Sequence, residues 1–277
     1  MKVRNTLGPQ VLVPSGVPQG SVLGPFLFAA YMSSVTFSDY SVISVQYADD
    51  VTIIQNVTSN TSIIPIQYIE EEFLNFGLCL NRSKCKELHI CRTRVVPELN
   101  VGCATIVNSL KILGVWFSES LSWSTHFSEI VKKASRRLYI IRCLKQSICK
   151  RDLITVYHSI ITSLFLYAAP AFGHIPAYII NKLERFQRRA HRIICGAECS
   201  CQYFPLLSSK IESAGLKFLE SCDHFVEHPL HDFVPKLYER SGLYRLHFCS
   251  TSRRLHSFFP WYCLLHNQRL SRAPLLP

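Results

Sequence analysis

Two short runs of β-branched residues constrain the fold of this chain most tightly. Val42-Ile43-Ser44-Val45-Gln46 and Val51-Thr52-Ile53-Ile54-Gln55 flank the tetrapeptide Tyr47-Ala48-Asp49-Asp50. Val, Ile and Thr fit a pleated surface, and two such runs around a short polar tip predict a β-hairpin. The tip lacks the Asn-Gly pair common in the tightest hairpin turns. It places two adjacent carboxylates at one end of two apolar strands. Side chains alternate faces along a strand, but a tight tip can turn both carboxylates to one side. Two close carboxylates resist joint ionisation unless a cation lies between them, and oxygen donors of this kind suit Mg²⁺. Asp is also a common turn residue, so the pair alone leaves a solvated turn open.

The neighbouring segments predict an α+β fold. Val22 to Val35 is apolar and reads as a buried helix after a Pro/Gly-rich loop. Ile66, Ile69, Phe73 and Phe76 recur at helical spacing, with Pro65 at the start and Gly77 at the end. Leu88–Ile90, Thr105–Val107 and Lys111–Phe117 read as further strands. At 277 residues the chain has room for one large or two ordinary domains, and 48% hydrophobic against 18% charged residues excludes a disordered chain.

Charge divides the chain. Residues 130–192 hold 13 Lys or Arg and two acids, a local excess equal to the whole net charge of +11. Residues 30–90 carry three basic residues and seven acids. Ile130, Ala134, Leu138, Ile141 and Leu144 mark one helix face, with Lys132, Lys133, Arg136 and Arg137 mostly off it. Ile179, Leu183, Phe186, Ala190 and Ile194 mark a second, leaving Lys182, Arg185, Arg188, Arg189 and Arg192 for solvent or phosphate. A basic surface of this kind predicts nucleic-acid backbone contact. The expected division is residues 1–120, a basic helical region over 121–198, and a C-terminal region 199–277 without firm periodicity. Leu153 to Ile180 contains no Asp, Glu, Lys or Arg, yet its polar residues and Pro170 and Pro176 favour a buried helix followed by a loop over a membrane span.

The twelve cysteines are scattered singly. With no secretory pattern in Met1–Gly20 they read as reduced, mostly buried residues of an intracellular protein, in nucleus or cytoplasm. The acceptor patterns at Asn56, Asn60 and Asn81 then read as chance matches. Two groups have conceivable zinc-ligand content: His191, Cys195, Cys199 and Cys201, and Cys222, His224, His228 and His231. Neither has a paired C-x-x-C half-site, and their role stays open.

The loop Gly16-Val17-Pro18-Gln19-Gly20-Ser21 precedes the first helix. Its glycines permit close approach to a ligand, Gln19 offers a donor and an acceptor, and the Ser21 hydroxyl is placed to cap the helix. A helix N-terminus at this point would favour an anion. Gly16 to Pro25 (GVPQGSVLGP) together with Tyr47-Ala48-Asp49-Asp50 resembles motifs B and C of the reverse transcriptases of LINE-type, non-LTR retrotransposons, the jockey-like group in particular. Leu78 to Lys84 resembles motif D, Ile112-Leu113-Gly114-Val115 resembles motif E, the primer grip, and Leu121-Ser122-Trp123 with His126 resembles the stretch that follows. Leu183 to Gly196 is similar to the post-polymerase region, and Ser257 to Pro260 more faintly to the C-terminal pattern.

This resemblance implies a polymerase palm, an antiparallel sheet with packed helices, followed by a mainly helical thumb. Asp49 and Asp50 would bind two catalytic Mg²⁺ ions, and Lys84 would lie near the incoming phosphates. Gly16, Pro18, Gln19, Gly20 and Ser21 would line the nucleotide and template pocket, with Tyr47 and Ala48 beside the primer end. Leu113 and Gly114 would form the primer grip. The partners would be an RNA template, a DNA primer and deoxynucleoside triphosphates, with no membrane. In the family, motif A supplies a further metal-binding Asp upstream of motif B; Met1–Ser15 contains no Asp or Glu. The expectation is therefore an N-terminally truncated fragment that lacks fingers, exposes apolar surface, and has little polymerase activity alone. A non-catalytic nucleic-acid-binding remnant is the alternative, and a group II intron maturase is the nearest other polymerase.

Overall fold

A computed structural model describes residues 2–3, 6–7, 16–37, 42–57, 63–90, 104–196, 204–238, 241–246 and 257–272. The chain divides between Ile112 and Leu113 into two compact units. Together they make an α+β protein: the first unit mixes short strands with helices, and the second is mainly helical.

The first unit begins with the short antiparallel strands β1 (Lys2–Val3) and β2 (Thr6–Leu7). Helix α1 (Gly24–Ser33) leads to the hairpin β3 (Val42–Tyr47) and β4 (Asp50–Gln55), and α2 (Ile66–Asn75) follows. Met32, Val35 and Phe73 form a small core, with Phe28, Phe37, Val51, Ile69 and Leu78 packed around it. The Gln46 amide donates to the Val35 carbonyl at 3.0 Å, and the Tyr31 hydroxyl donates to the Phe76 carbonyl. These bonds tie the hairpin to the end of α1, and α1 to the end of α2.

Two expectations for this unit are corrected. Helix α1 is largely exposed: Val22 and Leu23 before it, and Phe26, Leu27 and Tyr31 on it, face solvent, and only Gly24 and Met32 are buried in it. Apolar character around the whole helix predicted burial, but the unit supplies a core for one side only. The strand expected at Leu88–Ile90 lies instead at β5 (Lys86–Glu87), parallel to β6 (Thr105–Ile106).

The expected strand Lys111–Phe117 is two strands, β7 (Ser109–Ile112) and β8 (Val115–Ser118). Leu113 and Gly114 break it, with φ of 45° and 89°. Leucine rarely enters the left-handed region, so apolar patterning gave no sign of this turn.

In the second unit, α3 (Ser124–Leu144), α4 (Lys150–Tyr157), α5 (Ser163–Leu166), α6 (Ala177–Cys195) and α7 (Leu207–His224) share one core. The predicted faces of α3 and α6 are the buried ones, apart from Leu144, which is partly buried. The segment Lys150–Phe172 is long and apolar enough to cross a membrane by length and composition. Here it runs as α4, a π-helical turn (His158–Thr162), α5 and a 3₁₀ turn (Ala169–Phe172), and Leu153, Tyr157, Ile161, Phe165 and Phe172 fill the core.

The C-terminal region carries order that periodicity did not announce. Helix α8 (Phe258–Arg272) packs on α7, with Leu216, Leu219, Tyr244, Tyr262 and Cys263 buried together. The Tyr262 ring fills the space a Cβ at Gly215 would need, so only glycine fits there.

His126 is the buried polar group of the α3 core. Its Nδ1 accepts the Trp116 N–H at 3.2 Å, its Nε2 has no partner, and the Trp123, Phe127 and Phe172 rings surround it. Burial, assisted by Lys133, pushes its pKa down to about 4. The folded state holds this imidazole neutral while the unfolded chain protonates near the ordinary value, so its contribution is complete above about pH 6.5. Stability is expected to fall by about 3 kcal/mol at most as pH drops from about 6.5 to 4. Urea midpoints of the wild type and His126→Gln across that range check this; the pH slope should flatten in the variant.

Candidate nucleic-acid and metal site

The loop over residues 16–20 is exposed, and Gly16 and Gly20 take φ of 91° and 84°. Open space surrounds both, so backbone conformation accounts for these two glycines. The Ser21 amide donates to the Pro18 carbonyl at 3.3 Å, and the Gly24 amide donates to Ser21 Oγ at 2.9 Å. Ser21 thus performs the capping expected of it. It also occupies a donor that the helix start was expected to offer an anion. A Cβ at Gly24 would meet Ser21 Oγ at 2.7 Å, which explains the glycine at the helix start.

The hairpin is in register from Val42↔Gln55 to Tyr47↔Asp50, leaving Ala48-Asp49 as a two-residue loop. Ala48 is held at φ 52°. Tyr47, Ala48, Asp49 and Asp50 are all exposed. No group of three or more His, Cys, Asp or Glu side chains able to hold a metal occurs among the described residues. The hairpin nevertheless offers two adjacent hard oxygen donors in the open. That fits Mg²⁺, which keeps several waters and is commonly held by one or two carboxylates plus substrate phosphates.

Lys84 ends an exposed 3₁₀ turn (Arg82–Lys84), whose Arg82 is ion-paired with Glu70 on α2. Neither zinc group is supported. Cys199 and Cys201 lie outside the described residues. His231 Nδ1 donates to the Cys222 carbonyl at 2.9 Å, and His228 Nδ1 accepts the Leu230 amide at 3.1 Å. These imidazoles close the turn after α7. Among the described cysteines, Cys222 and Cys263 are buried, Cys85 and Cys195 are partly buried, and Cys79, Cys143 and Cys149 are exposed.

The basic residues separate into two groups. On α6, Lys182, Arg185, Arg188, Arg189 and Arg192 are all exposed. At the ordinary helical pitch they occupy an arc of about 120° and a length of about 15 Å, opposite the buried face. None of the ion pairs among the described residues uses one of these five cations. On α3 the picture is weaker. Lys133 and Arg136 are exposed, but Lys132 is paired with Glu129 at 2.6 Å. Arg137 is partly buried and its guanidinium donates to the Ile160 carbonyl inside the π-helical turn. That carbonyl lies where the regular ladder is interrupted, and Arg137 satisfies it. In this structure the Arg137 guanidinium is thus held at a backbone carbonyl.

At the Leu113-Gly114 turn the Leu113 carbonyl accepts the Tyr167 hydroxyl at 2.6 Å. Sequence reasoning placed Tyr167 inside an apolar run and missed it.

Residues 2–117 match the family described as reverse transcriptase (RNA-dependent DNA polymerase). The chain is 25% identical over 238 residues to the RNA-directed DNA polymerase from mobile element jockey of Drosophila melanogaster. The chain is similar to the reverse transcriptases of non-LTR retrotransposons. That similarity covers 75% of this chain and 26% of the jockey protein. A probable RNA-directed DNA polymerase from transposon X-element of the same species is 25% identical over 203 residues, 67% of this chain and 22% of the relative. One from transposon BS is 22% identical over 226 residues, 74% and 24%. The chain therefore spans about a quarter of the length of the curated proteins it matches. Residues 123–163 also match the family described as alkylated DNA repair protein alkB homolog 8, N-terminal. No solved structure matches the chain significantly.

Proposed function

We propose that this chain provides the palm and thumb of an RNA-directed DNA polymerase, with Asp49 and Asp50 at the metal site and α6 on the phosphate backbone of the primer–template duplex. The observation that carries this reading is the two-carboxylate hairpin inside the segment that matches the reverse transcriptase family. Mg²⁺ held there would activate the primer 3′-oxygen and stabilise the leaving pyrophosphate. The hairpin's part is to hold two oxygen donors at an open tip, anchored by Gln46 and the packing of Val51. Gly16 to Ser21 presents an exposed loop to nucleotide and template, and Lys84 an exposed cation to phosphate. The Arg-rich face of α6 reads no bases and follows the backbone of any duplex.

Two hairpin carboxylates are fewer than the three that motif A and motif C supply together in the family. Polymerisation by this chain is accordingly proposed to need a carboxylate from another segment, and its workplace to be intracellular. Binding is independent of that requirement. A DNA primer annealed to an RNA template should bind with little sequence preference, and log Kd should rise with log salt at a slope of about 4 to 5, from five exposed cations at about 0.9 each. Fluorescence anisotropy from 50 to 200 mM salt tests this; salt-independent binding, or none at low salt, would refute it.

A further inference from the structure

The segment between α5 and α6 is built to aim one side chain. Helix α5 stops at Tyr167, which is extended at φ −60° and ψ 126°, and Ala168 follows in the left-handed region at φ 57°. A left-handed alanine is a local strain that the surrounding fold must hold in place. Ala169 and Phe172, both buried in the core, anchor the chain immediately afterwards. Tyr167 is thereby turned out of the helix and remains half-exposed, while its hydroxyl donates to the Leu113 carbonyl at 2.6 Å.

The tyrosine meets the next residue as well. A Cβ at Gly114 would lie 3.1 Å from the Tyr167 ring, tighter than ordinary packing. The turn is therefore gripped twice, by a hydrogen bond at Leu113 and by ring contact at Gly114. Both turn residues have positive φ. A two-residue turn with one leucine in the left-handed region has cheaper alternatives, and the clamp selects among them.

We propose that Tyr167 is a positioning residue for the primer terminus: it fixes the Leu113-Gly114 turn in the conformation that receives the primer's 3′ end. This rests on the reading of that turn as the primer grip. The residue acts through the turn and has no role in holding the duplex, which falls to α6.

The test separates the primer end from the duplex. The full chain is bound to a DNA primer recessed on an RNA template, with 2-aminopurine as the 3′-terminal primer base. Anisotropy gives the duplex Kd, and 2-aminopurine fluorescence gives the ordering of the terminus. Tyr167→Phe keeps the ring and loses the hydroxyl. Its duplex Kd and its melting temperature should stay within about twofold and a few degrees of wild type, while the equilibrium for ordering the terminus drops about fivefold, the value of one hydrogen bond of about 1 kcal/mol. Tyr167→Leu, which removes the ring contact together with the hydroxyl, should lower terminus ordering at least as far with the duplex Kd kept, and serves where Tyr167→Phe melts early. Unchanged terminus ordering in both variants, with wild type ordering it, overturns the clamp and leaves the primer-grip reading standing. A wild type that binds the duplex without ordering its terminus overturns the primer-grip reading and the clamp with it.

Discussion

Replacing Arg185, Arg188, Arg189 and Arg192 together by Glu is expected to weaken duplex binding by about three orders of magnitude or more. Each is exposed on one face of α6, and none of the ion pairs among the described residues engages it. A phosphate contact by such a cation is worth on the order of 1 kcal/mol and contributes about 0.9 to the salt slope. Losing four contacts removes about 4 kcal/mol before the repulsion from the new carboxylates is added. The salt slope should fall by about 3.6 even in the milder Gln version. The fold should tolerate the change, because the buried face of Ile179, Leu183, Phe186, Ala190 and Ile194 is untouched. Anisotropy titrations over a salt series, with circular dichroism as the folding control, measure both quantities. Arg137→Gln should behave oppositely, with loss of thermal stability and little change in salt slope, because its guanidinium serves the Ile160 carbonyl.

The parts of the fold that could be read from sequence are those where one periodicity dominates. The hairpin follows from two β-branched runs around a short polar tip, and α3 and α6 follow from apolar residues at helical spacing opposite basic ones. The unread parts share a different cause: tertiary contacts override local preference. Leu113 adopts φ 45° in a run that otherwise favours strand. Lys150–Phe172 has the composition of one continuous helix, yet it contains a π-helical turn, a break at Tyr167 and a 3₁₀ turn. Arg137 carries the same charge as its neighbours, and only the interrupted ladder across from it distinguishes its role. Helix α1 shows the converse. Its residues are apolar on all sides, but burial depends on what packs against them, and Phe26 and Leu27 face solvent.

Of the site, the loop Gly16–Ser21 and the carboxylates were legible because particular residue types at short spacing carry their chemistry. The hydrogen bond from Tyr167 to Leu113 was not, because the two lie 54 residues apart. Thermodynamically the two units also differ. The first has a small core around Met32, Val35 and Phe73 and exposes Val22, Phe26, Ile43 and Val45. Apolar exposure of that extent marks an interaction surface.

The second large effect concerns the hairpin itself. If Asp49 and Asp50 hold the metal, their neutralisation removes charge and donor strength while the turn and its register survive, since neither carboxylate is buried and Asn suits turn positions. Stabilisation of developing charge by a bound ion is worth several kcal/mol, so loss of either carboxylate should slow nucleotide addition about 10³-fold or more. The measurement joins this chain to the upstream polymerase region of the jockey relative, in place of that protein's corresponding segment. It then follows Mg²⁺-dependent extension of a DNA primer on an RNA template. The account predicts extension by the joined protein and its loss in both Asp49→Asn and Asp50→Asn, with duplex Kd unchanged. Extension that persists undiminished in the double Asn variant would contradict it.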